Sequence, residues 1–255
     1  MRDDYLVSCL TCTYGRPIVL GEAIKCFIDQ DYDNKELIIL NDQVGVELVI
    51  ENCPNNIKIY NHSERFESLG AKRNYIKTLG NGDYYCIWDD DDLYTPWRIK
   101  SSVRMMRDKS RDIVKSKDAF FSINNTNYKI ANNLFHSQAC IRKEYMLKTS
   151  YPNKSVGEDY DFEKGANVEF SYGVMPWYVY RWGNCGVSGG IHHLSGIRDE
   201  KESWNKSLIF KPYNDIKGKI TITSGFQRNY WMDIAKFLKD TKSCYSFEWN
   251  KRFDF

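Results

Sequence analysis

The 255-residue sequence carries almost no net charge, no long apolar run and none of the glycine-rich loops that cradle phosphates in many nucleotide-binding domains. Each absence removes a class. Lys and Arg number 36 against 34 Asp and Glu, so no basic field announces nucleic acid or an anionic membrane. No segment approaches the roughly 18 apolar residues of a membrane-spanning helix. Met1-Arg2-Asp3-Asp4-Tyr5 lacks the apolar region of a secretory leader, so a soluble, cytoplasmic protein is expected. Without Gly-x-Gly-x-x-Gly after the first strand, or Gly-Lys-Ser/Thr anywhere, dinucleotide and P-loop binding are unsupported. Cysteine is present eight times but scattered. The pair Cys9-Leu10-Thr11-Cys12 imitates a metal or redox motif, yet residues three apart on a strand point to opposite faces. No second Cys/His pair stands at zinc-finger spacing either. The sequons at Asn124, Asn153 and Asn205 are read as incidental without a secretion signal.

What is present is concentrated at one place. Tyr84-Tyr85-Cys86-Ile87-Trp88 runs straight into Asp89-Asp90-Asp91-Asp92, followed by Leu93-Tyr94-Thr95-Pro96. An apolar strand ending in acids delivers them to the rim of an open α/β sheet, where such sheets bind ligands. Four like charges there call for a hard divalent cation with oxygen ligands, holding a substrate phosphate on its far side. A calcium hand does not fit: the sixth position from Asp89 is Tyr94 and the twelfth Lys100, where glycine and glutamate are needed. Thr95-Pro96 predicts a helix start, threonine as cap and proline at the first helical position.

Along the chain, strand-like segments (Tyr5–Thr11, Glu36–Leu40, Ile57–Tyr60, Tyr84–Trp88) alternate with helical ones. The first helix has Leu20, Ala23, Ile24, Phe27 and Ile28 as its apolar face, and another spans about Leu69 to Leu79. Near-continuous apolar strands imply an α/β fold, a mostly parallel sheet flanked by helices. Thr13, Asp42 and Asp89 to Asp92 then share one rim. Past residue 110 short strands are expected at 113–117, 119–123, 139–142, 174–181 and 219–223, with a helix at 227–238. Length suits one large domain, residues 1–200, with a small extension, residues 201–255, packed on it.

Five pieces in order resemble one family. Thr13-Tyr14-Gly15-Arg16, Asn41-Asp42, Ala71-Lys72-Arg73-Asn74, Trp88-Asp89-Asp90-Asp91-Asp92 with Pro96, and Gly157-Glu158-Asp159 together look like the GT-A-fold, family 2 glycosyltransferases, over residues 5 to 195. Gly15 stands where that family usually has asparagine, and Asn41 where it often has a first aspartate. The resemblance implies a Rossmann-like GT-A domain and a metal-dependent, inverting transfer from a nucleotide sugar, with UDP as the expected nucleotide. It makes Asp91 the direct ligand of Mn2+ or Mg2+, with Asp89 toward ribose and metal, Asp92 assisting and Asp90 a spacer. Asp42 would accept the base N–H, Thr13, Tyr14 and Arg16 would line the nucleoside pocket, and Arg73 would contact ribose or phosphate. Asp159 would be the base that deprotonates the acceptor hydroxyl, with Glu158 as an acceptor-binding or orienting neighbour. His192 or His193 would add a late metal ligand or diphosphate contact, and Trp177 and Trp182 an acceptor platform. The implied acceptor is a glycan or cell-surface polysaccharide, or a modified DNA base. Two other classes stay open: a two-metal phosphoryl-transfer enzyme such as a nuclease or pyrophosphatase, and an inactive nucleotide-binding module.

Overall fold

The computed structural model describes residues 5–107, 110–123, 127–131, 135–172, 175–182 and 217–241. The chain opens with β1 (Val7–Thr13), α1 (Pro17–Ile28), β2 (Lys35–Asn41), β3 (Val46–Ile50), β4 (Ile57–Asn61), α2 (Leu69–Ile76) and β5 (Tyr84–Ile87). It continues through β6 (Leu93–Tyr94), α3 (Arg98–Arg107), β7 (Ile113–Ser116), β8 (Ala119–Ile123) and β9 (Asn127–Ala131). A single 3-10 turn (His136–Gln138) leads to β10 (Cys140–Arg142), α4 (Lys143–Lys148), α5 (Glu158–Glu163), β11 (Val168–Ser171) and β12 (Tyr178–Trp182). Then follow β13 (Gly218–Ile222) and α6 (Tyr230–Asp240).

Seven strands form the main sheet in the order β11-β7-β10-β5-β1-β2-β4. All run parallel except β10, which is antiparallel to both its neighbours. The carboxyl ends of β1, β2, β5 and β7 therefore share one rim, and the reversed β10 brings its entry turn there too. A second sheet, β6-β12-β8-β9, and a parallel pair, β13 with β3, complete the architecture.

Both faces of the main sheet are covered, which is why its strands read as unbroken apolar runs. On one face Val7 and Cys9 pack with Leu20, Ile24 and Phe27 of α1, Ile99 and Val103 of α3, and Trp231 and Ile234 of α6. On the other, Leu10 and Cys12 pack with Ile76 of α2, Met146 of α4 and Phe162 of α5. The two cysteines of the Cys9–Cys12 pair thus lie on opposite faces, as strand geometry requires.

Several features differ from the sequence reading, which assigns no element at β9, α4, α5 or β11. Nothing local marks β10 as reversed. The segment at Val46–Ile50, unassigned from sequence, is a strand because β13 pairs with it. Thr95 does not cap a helix: α3 begins at Arg98, whose N–H reaches the Thr95 carbonyl at 3.1 Å. The Thr95 N–H is strapped instead to the Trp177 carbonyl, also at 3.1 Å.

Candidate active site

Beyond β5 the chain leaves the sheet and its four acids alternate. Trp88 anchors the exit, its indole N–H on the Ala23 carbonyl (3.0 Å) and its ring packed on Tyr94. Asp90 and Asp92 turn inward and are fully buried. Asp89 and Asp91 face outward, their side chains 26% and 16% exposed. Asp90 is therefore no idle spacer. It accepts from the Thr13 hydroxyl at 2.6 Å and pairs with Arg16. Burial pushes its carboxyl up to about 6, with Arg16 opposing. Asp92 accepts from the Tyr178 hydroxyl and, at 2.9 Å, from the Arg181 N–H. Burial and then Asp91 and Asp89 raise its pKa well above the usual carboxylate range. Of the outward pair, Asp91 meets Arg16 at 2.6 Å and Asp89 meets Arg73 at 3.4 Å.

The facing wall comes from α2 and α5. Ser68 caps α2, its hydroxyl accepting from the Ala71 N–H at 3.0 Å. Gly70 allows the helix to press on the strap at 152–154, since a Cβ there would lie 1.9 Å from the Pro152 carbonyl oxygen. Asn74 sutures the same strap, exchanging bonds of 2.8 and 2.9 Å with the backbone of Tyr151. Arg73 is thereby set between Asp89 and Glu158, each 3.4 Å away. Glu158 is buried and its carboxyl is pushed up to about 7 by burial and by Asp159, against the pull of Arg73. Asp159 is partly exposed and accepts from the Tyr160 N–H at 2.8 Å.

Behind α5 lies a buried polar chain that sequence reasoning missed. Lys115 reaches Glu163 at 2.5 Å, Glu163 reaches the His136 Nδ1 at 2.6 Å, and the His136 Nε2 meets the Tyr151 hydroxyl at 2.8 Å. Burial depresses the His136 pKa, and Glu163 pulls the other way. The available signal was a lysine inside the apolar strand Ile113–Ser116.

At the far end of β2, Asn41 donates to the Val46 carbonyl at 3.0 Å, a contact an aspartate would turn into repulsion. Asp42 is only 2% exposed and both its oxygens are engaged, by the Lys72 ammonium (2.5 Å) and the Phe66 N–H (3.1 Å). The open acceptor expected for a base N–H is thus already occupied in this conformation. Thr13 and Arg16 are likewise buried and turned to the acids, so they brace the loop and do not line an open pocket. Tyr14 is the partly exposed member of that group, with the Arg65 guanidinium 3.8 Å over its ring. Trp177 is fully buried in the core and offers no face to an acceptor. The side chain of Trp182, and His192 and His193 entirely, lie outside the described residues.

Among the described residues no group of three His, Cys, Asp or Glu forms a ready-made metal cage. Two outward carboxylates still suit Mg2+ or Mn2+, which complete their shells with substrate phosphate and water. An outward acid pair, Arg73 between Asp89 and Glu158, and the partly exposed Asp159 can together bind a diphosphate and deprotonate a hydroxyl.

The model of the family "Glycosyl transferase family 2" matches residues 8–168, more than half of the chain. The chain belongs to glycosyl transferase family 2. The match spans every motif from Thr13 to Glu158-Asp159. A relative, the UDP-Glc:alpha-D-GlcNAc-diphosphoundecaprenol beta-1,3-glucosyltransferase WfgD of Escherichia coli, is 25% identical over 51% of this chain and 49% of its own. The chain spans between 33% and 57% of the length of the curated relatives it matches. Solved structures share the fold. S. aureus TarS 1-349 in complex with UDP-GlcNAc aligns with a TM-score of 0.55 at 12% identity, over 76% of this chain and 62% of that one. The Pyrobaculum calidifontis mannosyltransferase PcManGT, in complex with GDP-Man and Mn2+, gives 0.53 at 14% identity, over 72% and 59%. These are GT-A glycosyltransferases, and the seven-stranded, mostly parallel sheet is the GT-A arrangement.

Proposed function

We propose that this family 2 chain is a metal-dependent, inverting glycosyltransferase that moves a sugar from a UDP-sugar to an acceptor hydroxyl. The observation that carries this is the split of the acid quartet, with Asp89 and Asp91 turned outward and Arg73 joining Asp89 to Glu158, the neighbour of Asp159. Asp90 and Asp92 are buried and bonded, which leaves two outward carboxylates in the quartet, fewer than a two-metal phosphoryl-transfer centre calls for. Asp91, with Asp89, would hold Mn2+ or Mg2+, which supplies charge neutralisation for the departing diphosphate. Arg73 bonds the same diphosphate or the ribose, being poised between Asp89 and Glu158. Asp159 takes the acceptor proton, and Glu158 orients Arg73 from its buried position. Direct attack with a single base inverts the anomeric carbon.

UDP is favoured because UDP-sugars are named for WfgD and for the TarS complex. Tyr14 and Arg65 offer a stacking surface for the base, and Asp42 reads its N–H once the Phe66 segment yields. The acceptor we assign is a glycan, in keeping with the WfgD name. Residues 1–200 would form the catalytic domain and 201–255 an extension of it. The decisive experiment incubates the protein with a panel of nucleotide sugars and Mn2+ and measures nucleotide release. Release from UDP-sugars that needs the metal supports the reading. Phosphodiester cleavage or no turnover overturns it.

A further inference from the structure

Glu22 sits in the middle of α1, 1% exposed, with no place in the chemistry above. Burying a carboxylate is costly unless donors surround it, and here they come from two distant parts of the chain. Its Oε2 accepts from Arg181 Nη1 at 2.6 Å. Its Oε1 accepts from the Gln227 N–H at 3.0 Å and the Tyr230 hydroxyl at 2.7 Å. Arg181 in turn grips the acid loop twice. Its Nε donates to the Asp91 carbonyl at 2.5 Å, and its backbone N–H donates to Asp92 at 2.9 Å. One unbroken bonded path thus runs from the C-terminal segment through Glu22 and Arg181 to the peptide of Asp91.

The C-terminal segment is seated firmly enough to act as an anchor. β13 pairs with β3 along five residues of each strand. Gly21 brings α1 against the turn after β13, where a Cβ would lie 2.5 Å from the Thr223 carbonyl oxygen. The Gly225 N–H closes on the Gly21 carbonyl at 3.3 Å. The aromatic face of α6, with Tyr230 and Trp231, is buried in the same core as α1.

We propose that residues 217–241 belong to the donor site: through Glu22 and Arg181, acting as positioning residues, they fix the Asp91–Asp92 peptide and so the aim of the two outward carboxylates. This rests on the metal-and-diphosphate reading above. Asp89 and Asp91 stand on a loop with no regular backbone ladder of its own, so its geometry must be imposed by side chains. Arg181 is suited to this, because its rigid planar fork presents Nε to the Asp91 carbonyl and Nη1 to the Glu22 carboxylate in one fixed geometry.

The test uses the full chain and three variants: Glu22→Gln, Arg181→Lys and Tyr230→Phe, the last deleting a single hydroxyl in case the others fold poorly. Amide hydrogen exchange is followed at residues 89–94, and UDP and uridine binding are measured by calorimetry over a Mn2+ series. The expected result is exchange at 89–94 faster by about tenfold, the scale of one lost charge-assisted hydrogen bond. The Mn2+ needed for half-maximal UDP binding should rise by a similar factor, while uridine affinity stays unchanged. Faster exchange with an unmoved Mn2+ requirement would reduce the clamp to a structural role and overturn the proposal, as would unchanged exchange in folded Tyr230→Phe. If the unmodified protein shows no Mn2+-dependent UDP binding, the donor reading fails and the positioning proposal falls with it. The exchange arm then still reports whether the segment and the loop are mechanically linked.

Discussion

At the scale of single residues, the acid quartet is two pairs with different duties. Asp91→Asn should abolish Mn2+-dependent UDP binding in calorimetry and leave the melting temperature within a few degrees, because Arg16 keeps Asp90 as its partner. Asp159→Asn should differ in kind: donor affinity survives while kcat falls by roughly 10²-fold or more, the scale for losing a positioned base. Glu158 gives a pH signature. Its folded pKa of about 7 lies above the ordinary 4.5, so between these values the folded protein keeps a proton the unfolded chain has released. Stability therefore falls as pH rises through that window and levels off above it. Denaturant titrations at pH 5 and pH 8 should show Glu158→Gln without this fall, a difference on the order of 3 kcal/mol at most. The sequence singled out the quartet and assigned Asp91 and Asp89, the outward pair, to metal and ribose, but it read Asp92 as assisting and Asp90 as a spacer, where both are buried and bonded. It could not show what neutralises the inward pair, since Thr13, Arg16, Tyr178 and Arg181 arrive from 74 to 89 residues away. Trp177 misled for the same reason, an aromatic run giving no sign of which side is core.

At the scale of elements, periodicity located α1, α2, α6 and the strands β1, β2, β4 and β5, but not β3, β9, β11, α4 or α5, and not the partners of any of them. β10 carries three residues and its direction is set by the hairpin-like return through β8 and β9, which no local pattern announces. Likewise nothing local in Glu158–Glu163 marks Glu163 as the acid that His136 and Lys115 meet. The sharpest dependence lies where α2 meets the strap. Gly70→Ala must push the helix away from the Pro152 carbonyl, which overpacking series place at about 1–3 kcal/mol or more. The variant should lose that much stability in urea titration, and UDP affinity should fall with it, since Arg73 rides on the displaced helix.

At the scale of the whole molecule, alternating strands and helices were enough to give the α/β class and the shared rim. The join between β13 and β3 was not legible, because its paired residues are separated by 172 positions and neither strand is strongly patterned. A ligand that binds only the folded form should stabilise all layers together. At roughly 100-fold above its dissociation constant, UDP with Mn2+ should add about 2.7 kcal/mol. A thermal shift would register this in the wild type and lose it in Asp91→Asn. The separation of the clamp residues also has a consequence for synthesis. Tyr230 lies 208 residues beyond the Glu22 it must meet. At about 5–20 residues per second, a ribosome takes roughly 10–40 s to travel between them. For the part of that interval after Asp92 has been made, the nascent chain holds its first sheet strands and its acids but lacks the bolt that steadies them. Glu22 waits first for Arg181 and then for Tyr230, so the acid loop is steadied only after both have been made.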